Sequence, residues 1–255
     1  MATALITGGT SGIGAAFARA LAGRGDNLIL VARNADRLAE MATELNERFG
    51  VRVETIGADL GDRDDTVRVA DRLASHDQPV DTLVNNAGFG IRVSLLAEDT
   101  TPHEAGFDVM IRAVLMLGAA AGRAMRERGS GAIINVSSTA GFVTMGNYSA
   151  IKAWVTSYTE GLANELAGTG VTVTALCPGW VRTEFHERAD IGVSKIPDVL
   201  WLEADDLVAE CLADVARGRV ISIPSRRYKL IFGAARHLPR PALRALSKRL
   251  ASGRH

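Results

Sequence analysis

Tyr148 and Lys152 stand four residues apart inside a helical pattern, a spacing that puts both on one face. A free tyrosine hydroxyl, with a pKa of about 10, is a poor general base at neutral pH. A neighbouring ammonium favours the phenolate and pulls that value down, so the pair can move a proton near neutrality. Ser137 and Ser138 close an apolar run upstream. A hydroxyl there can hold a substrate oxygen as negative charge develops on it.

A second group of residues suits a phosphate. Thr7-Gly8-Gly9-Thr10-Ser11-Gly12-Ile13-Gly14 follows a first strand-like run and opens a helical pattern. Glycines permit positive φ and close approach to a ligand, and free N–H groups at a helix start bind pyrophosphate. Gly8, Thr10, Ser11, Gly12, Ile13 and Gly14 are the candidate contacts, set against an ordinary strand-to-helix turn. The second strand-like run ends Val31-Ala32-Arg33. An acid there would bond a ribose 2′-hydroxyl, whereas arginine accommodates a 2′-phosphate. Arg33, with room left by Ala32, favours NADP(H) over NAD(H); the alternative is a solvated residue at a helix start.

These groups need a scaffold. Apolar runs at Ala2–Ile6, Asn27–Ala32, Val51–Ile56, Thr82–Asn85, Ala132–Val136, Val171–Cys177 and Val220–Ile223 lack strict alternation, as strands buried on both faces do. Helical patterns lie between them: Gly12–Ala22, Ala35–Phe49, Asp64–Ser75, Pro102–Arg128, Tyr148–Gly168 and Ala204–Ala216. The alternation predicts an α/β fold: a doubly wound (Rossmann) parallel sheet of about seven strands between two helical layers. One catalytic domain is expected over residues 1–224, with a substrate lid at 184–203 and a basic extension at 225–255.

Six segments in this order resemble the short-chain dehydrogenase/reductase family, single-domain type: Thr7–Gly14, Ala58-Asp59-Leu60, Asn85-Asn86-Ala87-Gly88, Asn135–Gly141, Tyr148–Lys152 and Pro178-Gly179 to Thr183. The resemblance covers roughly residues 2–223 and implies hydride transfer between NADP(H) and a carbonyl or alcohol. By resemblance Tyr148 moves the proton, helped by the positive nicotinamide. Lys152 also bonds the nicotinamide ribose, and Ser138 holds the substrate oxygen, with Ser137 as the alternative. Asp59, beside Leu60, resembles the residue that bonds the adenine amine; on residue type alone, Asp59 or Asp62 caps a helix. Asn86, Ala87 and Gly88 would pack under the cofactor. Pro178 and Gly179 would flank the nicotinamide, with Val181 contributing backbone and Thr183 capping the carboxamide. Trp180 lines the substrate pocket or fills the core.

Two features depart from the family pattern. The gap from Ser138 to Tyr148 is 10 residues, shorter than in many members, which reshapes the substrate entrance. The helix position that many members fill with an asparagine, to anchor a relay water, falls on Met110. Methionine cannot hold that water by its side chain, so an alternative function is a dinucleotide-binding regulatory or interaction protein with weak or no turnover. A nucleotide-sugar epimerase is disfavoured by the glycine spacing and by the lack of a substantial substrate domain.

The formal net charge of the 255 residues is zero, but it is unevenly spread. Residues 215–255 carry 11 Lys+Arg and no acid, while all 29 Asp+Glu lie before them. The basic tail is a candidate for contact with an anionic membrane surface or a partner protein, or for folding back on the acidic body. Its Leu243, Leu246 and Leu250 share a helical face. No nucleic-acid motif is present, so no nucleic-acid partner is expected. Histidine spacing predicts no metal. The lid's apolar residues, Phe185, Ile191, Ile196, Val199, Leu200, Trp201 and Leu202, suggest a hydrophobic substrate; His186 could contact it. Cys177 and Cys211, with no secretory signal and no uncharged apolar stretch of 18 residues, predict a cytoplasmic protein without a disulfide or a membrane span. A homo-oligomer, dimer or tetramer, is implied by the resemblance, through helices near 102–128 and 148–168.

Overall fold

Adjacent residues Leu5 and Ile6 are both fully buried, which a strand allows only when both its faces are covered. Leu5 packs with Leu83, Ile133, Leu117 and Met125 on one side, and Ile6 packs with Phe17, Leu28 and Leu30 on the other. The computed structural model describes residues 1–183, 197–235, 241–245 and 247. Its strands are β1 (Thr3–Thr7), β2 (Asn27–Ala32), β3 (Val53–Gly57), β4 (Thr82–Asn85), β5 (Gly131–Val136), β6 (Val171–Leu176), β7 (Trp180–Val181), β8 (Trp201–Leu202) and β9 (Ile221–Ser222). Seven of them form a parallel sheet in the order β3-β2-β1-β4-β5-β6-β9, flanked by helices, as the sequence predicts. The order reverses between β1 and β4, and ligands of open α/β sheets bind at the carboxyl ends of strands at such a switch point.

The helices are α1 (Gly12–Ala22), α2 (Ala35–Phe49), α3 (Arg63–Ala74), α4 (Thr101–Phe107), α5 (Ala113–Arg128), α6 (Gly146–Glu165), α7 (Ala204–Ala216) and α8 (Arg226–Ala235). Local chemistry fixes several ends. Asn34 accepts the Arg37 amide at the start of α2, and Gly50, at φ +69°, ends it. Asp62 accepts the Asp64 and Asp65 amides at the start of α3, so Asp62 and not Asp59 is that helix's cap.

The structure corrects two expectations. The predicted helix Pro102–Arg128 is interrupted by a π-helical turn at Asp108–Arg112. Arg112 there reaches both Asp108 (2.5 Å) and the Gly61 carbonyl (2.6 Å). The run Thr101–Arg128 is long and apolar enough to cross a membrane by composition alone; here half of its most apolar stretch is buried in the core. The second correction concerns residues 184–203, expected as a substrate lid and not among the predicted strands. Trp201 and Leu202 pair with Trp180 and Val181 as a short parallel ladder. Phe185, His186, Ile191 and Ile196 of that segment lie outside the described residues.

Candidate functional site

Both chemical groups of the sequence converge on the switch point. Gly8 leaves β1 at φ +65° and donates its amide to Val31 O at 2.8 Å. Ser11 flanks α1 in extended conformation and its side chain makes no capping bond. The first helical bond is Ala15 N to Ser11 O at 3.1 Å, so the amides of Gly12, Ile13 and Gly14 precede the intrahelical ladder. Uncapped amides at a glycine-rich helix start fit the pyrophosphate of a dinucleotide. Thr10 and Ser11 are half-buried beside them.

The end of β4 locks this loop in place. Asn86 Nδ2 donates to Thr7 O (2.9 Å) and Gly8 O (3.2 Å). The Asn86 and Ala87 amides donate to Thr7 Oγ1 at 2.9 and 3.0 Å. Asn86 is therefore a brace between strands. A buried chain continues sideways: Asn85 Nδ2 donates to Asn135 Oδ1 (2.9 Å), and Asn135 Nδ2 to Thr159 Oγ1 (3.0 Å). Sequence reading singled out neither Thr159 nor this role of Asn135; two polar residues at paired register, Asn85 and Asn135, were the available signal.

Beyond β1 in the sheet, Arg33 is exposed at the end of β2 and Asp59 is exposed after β3, while Leu60 is buried. Asp59 Oδ1 accepts the Gly61 amide at 2.9 Å, and its own amide donates to Asp65 Oδ2 at 2.7 Å. Asp59 thus shapes the turn that carries it.

The Ser138, Tyr148 and Lys152 group lies beyond Gly88. A Cβ at Gly88 would stand 3.0 Å from Met110 Sδ and 3.8 Å from Lys152 Nζ. Met110 is buried within the π-helical turn and brings no polar side-chain atom to that position. The Lys152 ammonium donates instead to Val136 O at 2.8 Å, and stands 5.6 Å from the centroid of the Tyr148 ring. Ser137 is committed elsewhere: its hydroxyl donates to Lys152 O (2.7 Å) and meets Thr156 Oγ1 at 2.8 Å. Ser138 is the serine at the site, accepting the Ala140 amide at 3.1 Å and hydrogen-bonding Tyr148.

The tyrosine's titration differs from the simple expectation. Burial pushes the Tyr148 hydroxyl above its ordinary value, and the Ser138 bond opposes this without overcoming it. Spacing from lysine suggests the opposite sign; desolvation of the phenolate decides it in the cofactor-free protein. Tyr148 is accordingly a neutral phenol.

Burial also pushes Lys152 from 10.5 down to about 8. The folded protein releases this proton near pH 8, whereas the unfolded chain keeps it until about 10.5. Across that window the unfolded state binds more protons, so this group's contribution to stability rises with pH. The gap corresponds to about 2–4 kcal/mol. In urea denaturation of cofactor-free protein, the parent should gain that much on Lys152→Met between about pH 7 and about pH 10. Parallel curves for the two proteins would contradict a buried ammonium.

The loop after β6 completes the arrangement. Pro178 O accepts the Thr139 amide at 2.9 Å, tying this turn to the serine loop. Val181 is buried in the core. A Cβ at Gly12 would lie 3.3 Å from Thr183 Cβ, so Thr183 borders the glycine-rich loop. Trp180 is half-buried, its ring 6.0 Å from that of Trp201. A residue of the basic extension also enters: the Tyr228 ring covers Gly179, where a Cβ would come within 2.0 Å of it. The missing side chain at Gly179 was the only sequence signal for this contact.

A family profile described as short chain dehydrogenase matches residues 2–192. Sulfoacetaldehyde reductase 2 of Chromohalobacter salexigens is 37% identical over 216 residues, 83% of this chain and 85% of that protein. A short-chain dehydrogenase from Sphingobium yanoikuyae, solved in complex with NADPH, superposes with a TM-score of 0.84 at 35% identity, covering 92% of this chain and 93% of that one. The bulky-bulky ketone specific alcohol dehydrogenase from Comamonas testosteroni superposes at 0.80 with 30% identity, over 94% and 96% of the two chains.

Proposed function

The chain belongs to the short-chain dehydrogenase family, and on that premise we propose that it transfers hydride between NADP(H) and a hydrophobic carbonyl or alcohol substrate. One observation carries the reading: the Ser138–Tyr148 hydrogen bond and the Lys152 ammonium lie together, one glycine away from the brace that holds the uncapped start of α1. A module that only bound dinucleotide would have no use for this set, although Met110 occupies the relay position.

Gly8, Gly12, Ile13, Gly14 and Ser11 would hold the pyrophosphate, and Asp59, Asn86, Ala87, Gly88, Lys152, Pro178, Gly179, Val181 and Thr183 the rest of the cofactor. When bound, the dinucleotide supplies or accepts the hydride. In the reducing direction Ser138 Oγ, its lone pair engaged by the Ala140 amide, donates its proton toward the substrate oxygen. Tyr148 Oη gives that oxygen its proton. Lys152, held by Val136 O, keeps positive charge beside the ring and lowers the cost of the phenolate left behind.

NADP(H) is proposed from Arg33, exposed at the end of β2 where no acid stands, and the Sphingobium relative with NADPH is in keeping with it. A thermal-shift comparison should give a larger shift with NADPH than with NADH. Arg33→Ala should narrow the difference; a larger shift with NADH in the parent overturns the Arg33 argument. The apolar substrate class is proposed from the apolar residues of 184–203, and two aromatic pairs are in keeping with it: Phe142 lies 5.7 Å from Phe232, and Trp180 lies 6.0 Å from Trp201. A panel of ketones and aldehydes with NADPH tests the activity itself, and no NADPH consumption on any member would favour the binding-module reading.

A homo-oligomer is proposed through α5 and α6. Leu115 is exposed on α5, where the Tyr158 hydroxyl of the stacked Trp154–Tyr158 pair meets its carbonyl, an apolar surface of the kind that subunits cover. Light scattering should give a dimer or larger, and a monomer at micromolar concentration would refute it. The basic extension is proposed to reach an anionic surface or partner through exposed Leu230 and Ile231 of α8, next to Arg226 and Arg227. Leu243 is half-buried; Leu246 and Leu250 lie outside the described residues. The proposed setting is the cytoplasm, in keeping with the free thiols of Cys177 and Cys211.

A further inference from the structure

Helix α8 is docked by an aromatic pin. The Tyr228 ring lies against Gly179, close enough that a Cβ there would come within 2.0 Å of it. Its hydroxyl does two things at once: it accepts the Trp180 amide at 3.1 Å and donates to Leu200 O at 2.7 Å. Trp180 precedes the 184–196 segment and Leu200 follows it; Trp180 is itself paired with Trp201 in the β7–β8 ladder, and Leu200 adjoins Trp201. One phenol therefore bridges the chain before that segment and the chain after it. The pin is itself fixed. Tyr228 stacks on Phe232 at 6.2 Å, Phe232 meets Phe142 of the serine loop, and α8 is tied to α7 through Lys229 and Glu210. The Ser225 amide adds a bond to Glu210 at 2.8 Å.

We propose that Tyr228 is a positioning residue for the turn Pro178–Thr183, holding it against the phosphate loop so that Thr183 and the Gly179 backbone meet the nicotinamide end of the cofactor. The argument rests on the proposed dinucleotide-binding function. The geometry restricts the effect to one end of the ligand. Tyr228 touches the turn that borders Gly12 through Thr183, whereas Arg33 and Asp59 follow β2 and β3 on the far side of β1 in the sheet order. Removing the hydroxyl alone leaves the ring on Gly179 but takes away its bonds to the Trp180 amide and the Leu200 carbonyl, so the turn loses this tether without losing its packing.

The test compares Tyr228→Phe and Phe232→Ala with the parent, titrating each with the reduced dinucleotide that the parent binds tighter and with its adenine fragment, ADP or 2′,5′-ADP. Tyr228→Phe should weaken the whole dinucleotide about fivefold to tenfold and leave the fragment unchanged. Phe232→Ala, which loosens α8 but keeps the hydroxyl bridge, should lower thermal stability with a smaller effect on dinucleotide affinity. The proposal is overturned if Tyr228→Phe binds the dinucleotide as the parent does. It is equally overturned if fragment and dinucleotide weaken together, the mark of general loosening. A parent that binds neither NADPH nor NADH would instead refute the cofactor reading on which the proposal stands.

Discussion

Tyr148→Phe should turn over roughly 10³-fold more slowly than the parent, within the range of general acid catalysis, while its affinity for the dinucleotide stays the same. The substitution removes one oxygen and little else. The ring that the Lys152 ammonium faces at 5.6 Å remains, and the ammonium keeps its bond to Val136 O. What disappears is the proton. Because burial holds the phenol neutral, the parent carries that proton at every pH near neutrality, and carbonyl reduction should need no prior ionisation. The reverse reaction must begin by removing it, so alcohol oxidation should accelerate as pH rises. Ser138 alone cannot substitute, since an alkyl hydroxyl is a weaker acid than a phenol. The measurement is NADPH consumption with the best ketone of the panel, alongside a dinucleotide titration. A variant as fast as the parent would remove Tyr148 from the chemistry.

The parts of the structure that were legible in the sequence are those whose signals are local. Asn27–Ala32 and Thr82–Asn85 are buried Val/Leu/Ile-rich runs, and their bounds in the structure match the pattern. Helix α2 begins at a capping asparagine and ends at a glycine with positive φ, and both residue types announce themselves. Glycine spacing placed the tight turn from β1 into α1, because only glycine meets the close approach there. The π-helical turn was not legible: Asp108–Arg112 has the same apolar spacing as a helix, and what distinguishes it is Arg112 reaching across to Gly61 O. The β7–β8 ladder spans two residues per strand, too short for any period. The sign of the Tyr148 shift depends on how much water the fold excludes, which spacing from Lys152 does not encode. The charge asymmetry was visible as a number, and its meaning in part is an ion pair between Lys229 of the basic extension and Glu210 of the acidic body.

Gly14→Ala should cost the protein its dinucleotide, raising the dissociation constant at least about 100-fold, equivalent to about 3 kcal/mol, with a clear fall in thermal stability. A methyl group is the smallest possible addition, and here it has nowhere to go. Its Cβ would lie 2.2 Å from Gly8 O and 2.5 Å from Asn86 Nδ2. Neither atom is the loose end of a flexible side chain. Gly8 O belongs to a backbone whose amide is bonded to Val31 O, and the Asn86 amide is spent on Thr7 O and Gly8 O. The alternative, moving α1 away, is opposed by the buried packing of Phe17, Ala18 and Leu21 against the sheet. Either the brace between β1 and β4 breaks, leaving buried polar groups unpaired at about 1–3 kcal/mol each, or the uncapped amides of α1 leave the switch point. Both outcomes dismantle the anion site first and the core second. Gly57→Ala is the control, because a Cβ there meets nothing within 4 Å, and it should bind as the parent does. If Gly14→Ala and Gly57→Ala titrate alike, the close approach of α1 to the end of β4 is not what builds the site.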